Sequence, residues 1–170
     1  AAGGTAGPRF LWLHFNLANA AAEPWLRQNL SLPDAFYHSL HEGAGSTRVE
    51  QAADSLVAVL NDVLFDFAYD ASHVATVSLC VRPGLLVSAR SKPLRSIDRL
   101  RASVRAGEVF RSPAELLAHL LHLQAEVLVG IVRDSTGRAD AVEDSILADR
   151  IRSSRAELGK LRRVLVRLQR

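Results

Sequence analysis

A regular apolar seam over the last part of the chain most constrains how this sequence can fold. Its six residues follow alternating steps of four and three, broken only at Ser154: Leu147, Ile151, Leu158, Leu161, Leu165 and Leu168. This spacing is typical of a coiled-coil-like helix about three heptads long, which needs a partner along its seam. Neither a glycine cap nor a following proline ends the pattern before Arg170, so we expect the helix to continue beyond the given sequence.

Helical spacing begins well upstream of this seam, after Pro93. Residues 96–106 form an amphipathic pattern that Gly107 ends. Ser112, Pro113 and Glu115 then form a capping-box start with proline at the first helical position, which predicts a second and longer helix. Residues 135–137 (Ser-Thr-Gly) have low helix propensity, but they need not end this helix. We therefore expect long antiparallel helices over residues 108–170.

The first half of the chain has a different character. Runs rich in β-branched, aromatic and aliphatic residues predict strands at 10–16, 47–52, 55–63, 73–82 and 85–90. Two short helices are expected between the first two strands, one over 20–29 and one from Asp34 to Gly43. These patterns predict an α/β fold, in which residues 8–107 form a domain around a sheet of about five strands, with a helix on at least one face of the sheet. Residues 1–7 are expected to be a flexible start.

The composition narrows the class of protein. Cys80 is the single cysteine of the 170 residues, so no disulfide can form within the chain, and its apolar neighbours predict a buried thiol. The sequence has no methionine, which indicates a piece of a longer protein. No uninterrupted apolar run approaches the roughly 20 residues that cross a bilayer, so we expect the chain as given to be soluble.

Basic residues are concentrated at the C-terminal end, although the formal net charge is only +3. Such a segment could bind the phosphates of nucleic acid. The same segment carries the leucine seam, however, and it has neither a recognition motif nor interleaved aromatic residues. We therefore expect no nucleic-acid partner.

Metal binding is the chemistry that the sequence favours most. We expect no enzyme, because a glycine-rich phosphate loop, a Cys-x-x-Cys pair, a nucleophile elbow and a His-Glu-x-x-His array are all missing. His119, His122 and Glu126 follow steps of three and four on one helix face, where they could share a zinc ion. A solvated helix face with the same spacing is the alternative interpretation.

A second group of polar residues lies in one connection between predicted strands. Asp62, Asp66 and Asp70, with His73, could hold Mg²⁺ through carboxylate oxygens and water. Aspartates that form turns are the simpler explanation of the same pattern.

Five short strings carry a resemblance to a known family. They are Trp12-Leu13-His14-Phe15, Gly-Ser-Thr-Arg at 45–48, Leu-Leu-Val-Ser-Ala-Arg at 85–90, Val-Glu-Asp-Ser-Ile-Leu at 142–147 and Leu-Arg-Arg-Val-Leu at 161–165. In this order and spacing they resemble the CorA family of divalent cation transporters, which have two membrane helices and a Gly-x-Asn motif. The similarity spans nearly all of the chain after Pro8 and is greatest to the ZntB branch.

The resemblance implies an αβα layered domain on a mixed sheet, which forms one subunit of a cytoplasmic funnel at the inner face of the bacterial inner membrane. The last long helix would lead to a first membrane helix that the given sequence lacks, and five copies of the chain would surround one pore. Basic segments beside the cytoplasmic face of a membrane fit this arrangement. The family's Gly-Met-Asn pore signature is absent here, because the chain has no methionine.

The resemblance also implies the partners, which are further copies of the chain, divalent cations, and the membrane through the missing helices. No cofactor is required, but regulatory Zn²⁺ or Mg²⁺ would bind between cytoplasmic subunits, which makes Glu143, Asp144 and Asp149 further candidate ligands. The expected function is that of the cytoplasmic domain of a zinc or magnesium transporter, acting in assembly and in ion-dependent regulation. The alternative is a soluble interaction protein that dimerises through its C-terminal helix.

Overall fold

The computed structural model describes residues 10–42, 47–147 and 151–169, with side chains for all of these except 145–147 and 151–154. The elements in chain order are β1 Leu11–Asn16, α1 Ala22–Asn29, α2 Asp34–His41, β2 Arg48–Ala52, β3 Ser55–Val63, a 3₁₀ turn at Ala71–His73, β4 Val74–Arg82, β5 Leu85–Arg90, α3 Arg95–Arg105, α4 Pro113–Leu147 and α5 Ile151–Gln169.

The five strands form one mixed sheet in the order β1-β5-β4-β3-β2. Neighbours from β2 to β5 are antiparallel, whereas β1 pairs with β5 in parallel, with Leu11 opposite Leu85. Gly84 joins β4 to β5 with a φ of 75°, a conformation that glycine adopts without steric cost. The number of strands and the mixed character of the sheet are as predicted.

Helices cover both faces of the sheet. Successive side chains of a strand point to opposite faces, so Leu60 and Leu79 lie in an apolar cluster with residues of α3 and α4. Val57 and Cys80 lie in a second cluster with residues of α1 and α2, including Phe36. The predicted αβα layering and the predicted burial of Cys80 are therefore confirmed.

The two C-terminal helices form an antiparallel hairpin. α5 begins soon after α4 ends, yet Leu168 near the far end of α5 lies in one cluster with Val127 and Ile131 of α4. Val63 and Val74 belong to the same cluster, so the hairpin is anchored at one end of the sheet. The weak stretch at 135–137 lies within α4 and does not interrupt it.

The hairpin corrects one prediction about the leucine seam. The seam does not lie on a single helix, because α4 ends at Leu147 and α5 begins at Ile151. When the chain reverses between two helices, the helical register starts anew, and a pattern that continues in sequence is divided between two faces. The side chains of Leu147 and Ile151 lie outside the described side chains.

The helix starts were predicted with mixed success. Ser112 caps α4 as expected, since its Oγ accepts a hydrogen bond from the backbone N–H of Glu115 at 3.1 Å. Asparagine is a common N-cap residue, but Asn19, just before the helix predicted over 20–29, does not cap α1. Its side chain accepts from the N–H of Ala21 at 3.0 Å in a turn that precedes the helix. Asparagine forms such local turns readily, which explains the difference.

Among the described residues, one helix meets the size criterion for crossing a membrane. Pro113–Asp144 is long enough, and an 18-residue window within it has a mean hydropathy of 1.5. The earlier expectation differed because it considered only uninterrupted apolar runs, whereas an average over a window tolerates scattered polar residues. Core helices of soluble proteins meet the same criterion, and here Leu116 and Leu120 are buried against the sheet.

Candidate functional site

The predicted zinc ligands lie on α4, which packs beside α3. His119 is turned toward α3 and the segment that follows it. Its Nε2 is 3.3 Å from the hydroxyl of Ser103 and 3.5 Å from a carboxylate oxygen of Glu108. The ring of Phe110 lies against the imidazole, with 5.1 Å between ring centroids. His119 is thus held by contacts that connect the two helices.

The other two predicted ligands form a separate pair. The Nε2 of His122 is 3.4 Å from Glu126, and the side chain of His122 is 69% exposed. Arg99 of α3 also reaches the Glu126 carboxylate, at 3.5 Å from its other oxygen, so Glu126 already pairs with a cation. Among the described residues no group of three or more His, Cys, Asp or Glu side chains could hold a metal ion. The structure therefore does not bring the three predicted ligands together.

The acidic candidates near the end of α4 lie on its surface. Glu143 and Asp144 are exposed, and Asp149 lies outside the described residues. Val142, next to them, is buried, so this part of α4 still packs on one side. Their role as ligands between subunits stays a prediction.

The described part of the seam is divided between buried and exposed positions. Leu161 is 6% exposed and Val164, which the heptad pattern omits, is fully buried. Leu158 and Leu165 are each 41% exposed. The packed face of α5 is therefore rotated relative to the heptad seam, and two of the four seam leucines whose side chains are described are open to solvent. Their predicted role in assembly is consistent with this exposure but stays a prediction.

The aspartate group in the connection does not converge on one point. Asp62 lies within β3 and is 2% exposed. Asp70 accepts hydrogen bonds from the N–H and hydroxyl of Ser72 at 2.8 and 2.7 Å, which makes it a cap of the 3₁₀ turn. The imidazole of His73 accepts from the backbone of Ala68 at 3.2 Å. The alternative interpretation, that Asp70 is a turn-forming aspartate, is the one that the contacts support.

Asp62 is a functional candidate that the sequence interpretation misplaced. Its carboxylate accepts from the N–H and hydroxyl of Ser96 at 2.9 and 3.0 Å and from the N–H of Val63 at 2.8 Å. It thus ties the start of α3 to β3. Burial raises the pKa of this carboxyl group, against the opposing effect of the hydrogen bonds. The sequence contains one signal for this role, which is a charged residue inside a predicted strand that is otherwise mostly apolar.

A second buried polar group lies at the edge strand β1. The side chains of Trp12 and His14 both contact the hydroxyl of Ser88 at 2.9 Å. Arg90, only 9% exposed, lies on the same strand as Ser88, and its nearest ion pair is Asp98 of α3 at 3.8 Å. Burial, followed by the charges of Arg90 and other nearby groups, lowers the pKa of His14 to about 4.

This environment predicts a pH dependence of stability that depends on His14. The unfolded chain binds a proton at His14 near pH 6.5, whereas the folded chain does so only near pH 4. Between these values the unfolded state binds more protons, so the free energy of unfolding falls as the pH falls. Urea unfolding measures the free energy of unfolding at pH 7 and at pH 5. Its decrease between the two pH values should be smaller for His14→Gln, because glutamine does not titrate, than for the wild type. Equal losses in both proteins would contradict this role.

Comparison with known proteins places these features in a family. A model of the family described as CorA-like Mg²⁺ transporter protein matches residues 8–170. The divalent cation transporter CmaX of Pseudomonas aeruginosa is 25% identical over 155 residues, which covers 90% of this chain and 47% of CmaX. The soluble domain of CorA from Methanocaldococcus jannaschii has a TM-score of 0.77 at 18% identity, covering 93% of this chain and 64% of that one. The ZntB cytoplasmic domain from Vibrio parahaemolyticus has a TM-score of 0.67 at 17% identity, covering 98% and 70%.

These comparisons confirm the expected fold and the expected family. The chain spans about half the length of the curated relatives it matches, and the two solved domains share its fold. Since the family match extends over nearly the whole of the given sequence, the chain belongs to the CorA-like Mg²⁺ transporter protein family.

Proposed function

We propose that this chain is the cytoplasmic part of a divalent cation transporter that carries zinc or magnesium. The family match over residues 8–170 is the observation that supports this most strongly. Two similar structures are, by their descriptions, a soluble domain of CorA and a cytoplasmic domain of ZntB. In this proposal the chain lies at the cytoplasmic face of the bacterial inner membrane and has no catalytic role. Residues 108–170 lead toward the membrane helices.

Assembly with further copies of the chain is the second part of the proposal, with five copies around one pore. Exposed apolar side chains support it. On α4, Leu121, Val129 and Val132 are 42%, 54% and 55% exposed, and on α5 Leu158 and Leu165 are exposed as well. A group of apolar side chains at a surface is typical of a protein interface.

Regulation by the transported ion is the third part. Glu143 and Asp144 are exposed carboxylates on α4, and oxygen ligands of this kind suit Mg²⁺. A cation held between two subunits shifts the funnel from one arrangement to another only if it binds the second arrangement more tightly than the first.

The first measurement is gel filtration with light scattering in EDTA, in millimolar MgCl₂ and in micromolar ZnCl₂. We expect metal to shift the measured mass from that of one subunit toward that of five. The variant with Glu143→Gln and Asp144→Asn should respond less, whereas His122→Gln should respond like the wild type if the α4 carboxylates hold the ion. A mass that metal leaves unchanged would contradict ion-dependent assembly.

The alternative function, a soluble protein that dimerises through α5, is favoured by the exposure of Leu158 and Leu165. The same experiment distinguishes the two functions. A dimer of constant mass in all three buffers, lost in Leu165→Asp, would support the interaction protein and count against the funnel subunit.

A further inference from the structure

A cavity of about 450 Å³ lies between α5 and the 3₁₀ turn. Its lining residues are Ala71 of the turn and five residues of α5: Gly159, Arg162, Arg163, Val166 and Arg167. The α5 residues follow the spacing i, i+3, i+4, i+7 and i+8, which places them along one side of the helix. Two turns of helix therefore present three guanidinium groups to one cavity.

The positive charge in this cavity has no salt-bridge partner. Within the described part of the chain, no ion pair involves Arg162, Arg163 or Arg167. Asp70 is close enough for its charge to interact with that of Arg163, but its carboxylate is held by Ser72. The cavity thus has an excess of positive charge over the negative charge beside it.

One arginine is also left with an unsatisfied donor. The Nε of Arg167 is buried and has no hydrogen-bond partner among the described residues. A buried N–H without an acceptor destabilises the folded chain by its lost hydration. Because this Nε is closed to solvent, a ligand in the cavity would meet the terminal Nη groups of the arginines that line it.

We propose that this cavity binds a phosphate group. Arginine presents a planar fork of donors that matches phosphate oxygens two at a time. A carboxylate has two oxygens and one charge, which suit one or two guanidinium groups, whereas a phosphate monoester has three terminal oxygens and up to two charges. Three arginines around one cavity therefore match phosphate better than they match an acidic side chain.

The cavity has room for more than the phosphate itself. Its volume falls within the range of about 300 to 1,000 Å³ that is typical of small-molecule sites. Val166 and Ala71 add apolar wall beside the arginines. Gly159 keeps part of the space open, since a Cβ there would meet only the Nη1 of Arg163, at 3.6 Å. Both a soluble phosphate monoester and a lipid whose head group is a phosphate monoester, as in phosphatidic acid, fit this chemistry.

Pyrophosphate is the probe for a soluble ligand, titrated calorimetrically into the 170-residue chain at constant ionic strength. We expect binding that Arg167→Gln weakens by about 10-fold or more, as loss of a charge-assisted hydrogen bond does. Arg155→Gln is the matched control, because Arg155 is exposed on the same helix and does not line the cavity. Gly159→Leu tests the cavity without removing charge, because leucine favours helix over glycine and its side chain fills the space. It should weaken binding as well.

Sedimentation with vesicles of phosphatidic acid and phosphatidylcholine is the probe for a lipid source, because the head group of phosphatidic acid is a phosphate monoester. Binding to the anionic vesicles that Arg167→Gln and Gly159→Leu weaken, and Arg155→Gln leaves intact, would support the proposal and assign the phosphate to lipid. The same pattern with pyrophosphate alone would support it and assign a soluble phosphate. The proposal is overturned if neither probe binds, or if Arg155→Gln weakens binding as much as Arg167→Gln. None of these outcomes depends on whether the chain takes part in cation transport.

Discussion

Asp62→Ala is expected to lower the free energy of unfolding by about 2 to 3 kcal/mol, because several buried donors lose their acceptor at once. The carboxylate of Asp62 accepts from the N–H of Val63 and from both donors of Ser96. Its bond to the Ser96 N–H satisfies part of the first turn of α3, as an N-cap does. Removal of a desolvated charge offsets part of the loss. Urea unfolding followed by far-ultraviolet circular dichroism at pH 7 measures the difference.

Two controls separate this effect from a general effect of charge. Asp66→Ala makes the same change at an exposed position four residues away, and it should alter stability by less than about 0.5 kcal/mol. Ser96→Ala removes one of the three bonds and should cost about 1 kcal/mol. The interpretation of Asp62 is wrong if Asp62→Ala and Asp66→Ala have equal effects.

Leu161→Asp is expected to destabilise the chain by more than about 3 kcal/mol, because it combines lost apolar burial with an unpaired buried charge. Leu161 is 6% exposed, and Val164, one turn away on the same face, is fully buried. α5 should then separate from α4 or unfold. Urea unfolding shows the loss of stability, and faster proteolysis near residues 151–169 would locate it.

The matched variant Leu165→Asp makes the same chemical change at a position that is 41% exposed. It should change the free energy of unfolding by no more than about 1 kcal/mol, while any self-association measured by light scattering decreases. The two leucines lie four residues apart in the sequence pattern, and the heptad seam alone treats them alike. Equal destabilisation by both variants would show that α5 packs through the heptad seam after all.

The sequence predicted the secondary structure well because the signals for it are local. The capping box at Ser112 is recorded within a few residues and appears in the structure as expected, and the turn at Gly84 lies in the short gap between the strands predicted at 73–82 and 85–90. The change of periodicity after Pro93 predicted the division into a sheet and helices, whereas the family resemblance implied the αβα layering.

The details of the site could not be predicted, because they depend on where side chains from distant segments meet. His119 and His122 share a helix face in the sequence pattern, but Glu108 and Ser103 draw one of them toward α3. Arg99, from another helix, reaches Glu126. Helical spacing gives the direction of a side chain from its own axis and carries no information about the neighbouring helix.

The arginines of α5 show the same limit. In the sequence they contribute to a basic C-terminal segment, and their concave arrangement appears only when the 3₁₀ turn at Ala71 lies beside them. Asp62 was grouped with turn aspartates for a related reason. Its neighbours in sequence indicate a strand end, and the helix start that it binds lies 34 residues further along the chain.

The length of α4 has a mechanical consequence for the hairpin. The apolar clusters, hydrogen bonds and ring contacts that join α4 to the α/β layer, within the described residues, lie between Leu116 and Arg138. At 1.5 Å per residue, Leu147 lies about 14 Å beyond Arg138 along the helix axis. A tilt of about 10° around Arg138 would therefore move the end of α4 by about 2 Å. The hairpin thus projects from the α/β layer as an arm, and its projecting end holds Glu143 and Asp144.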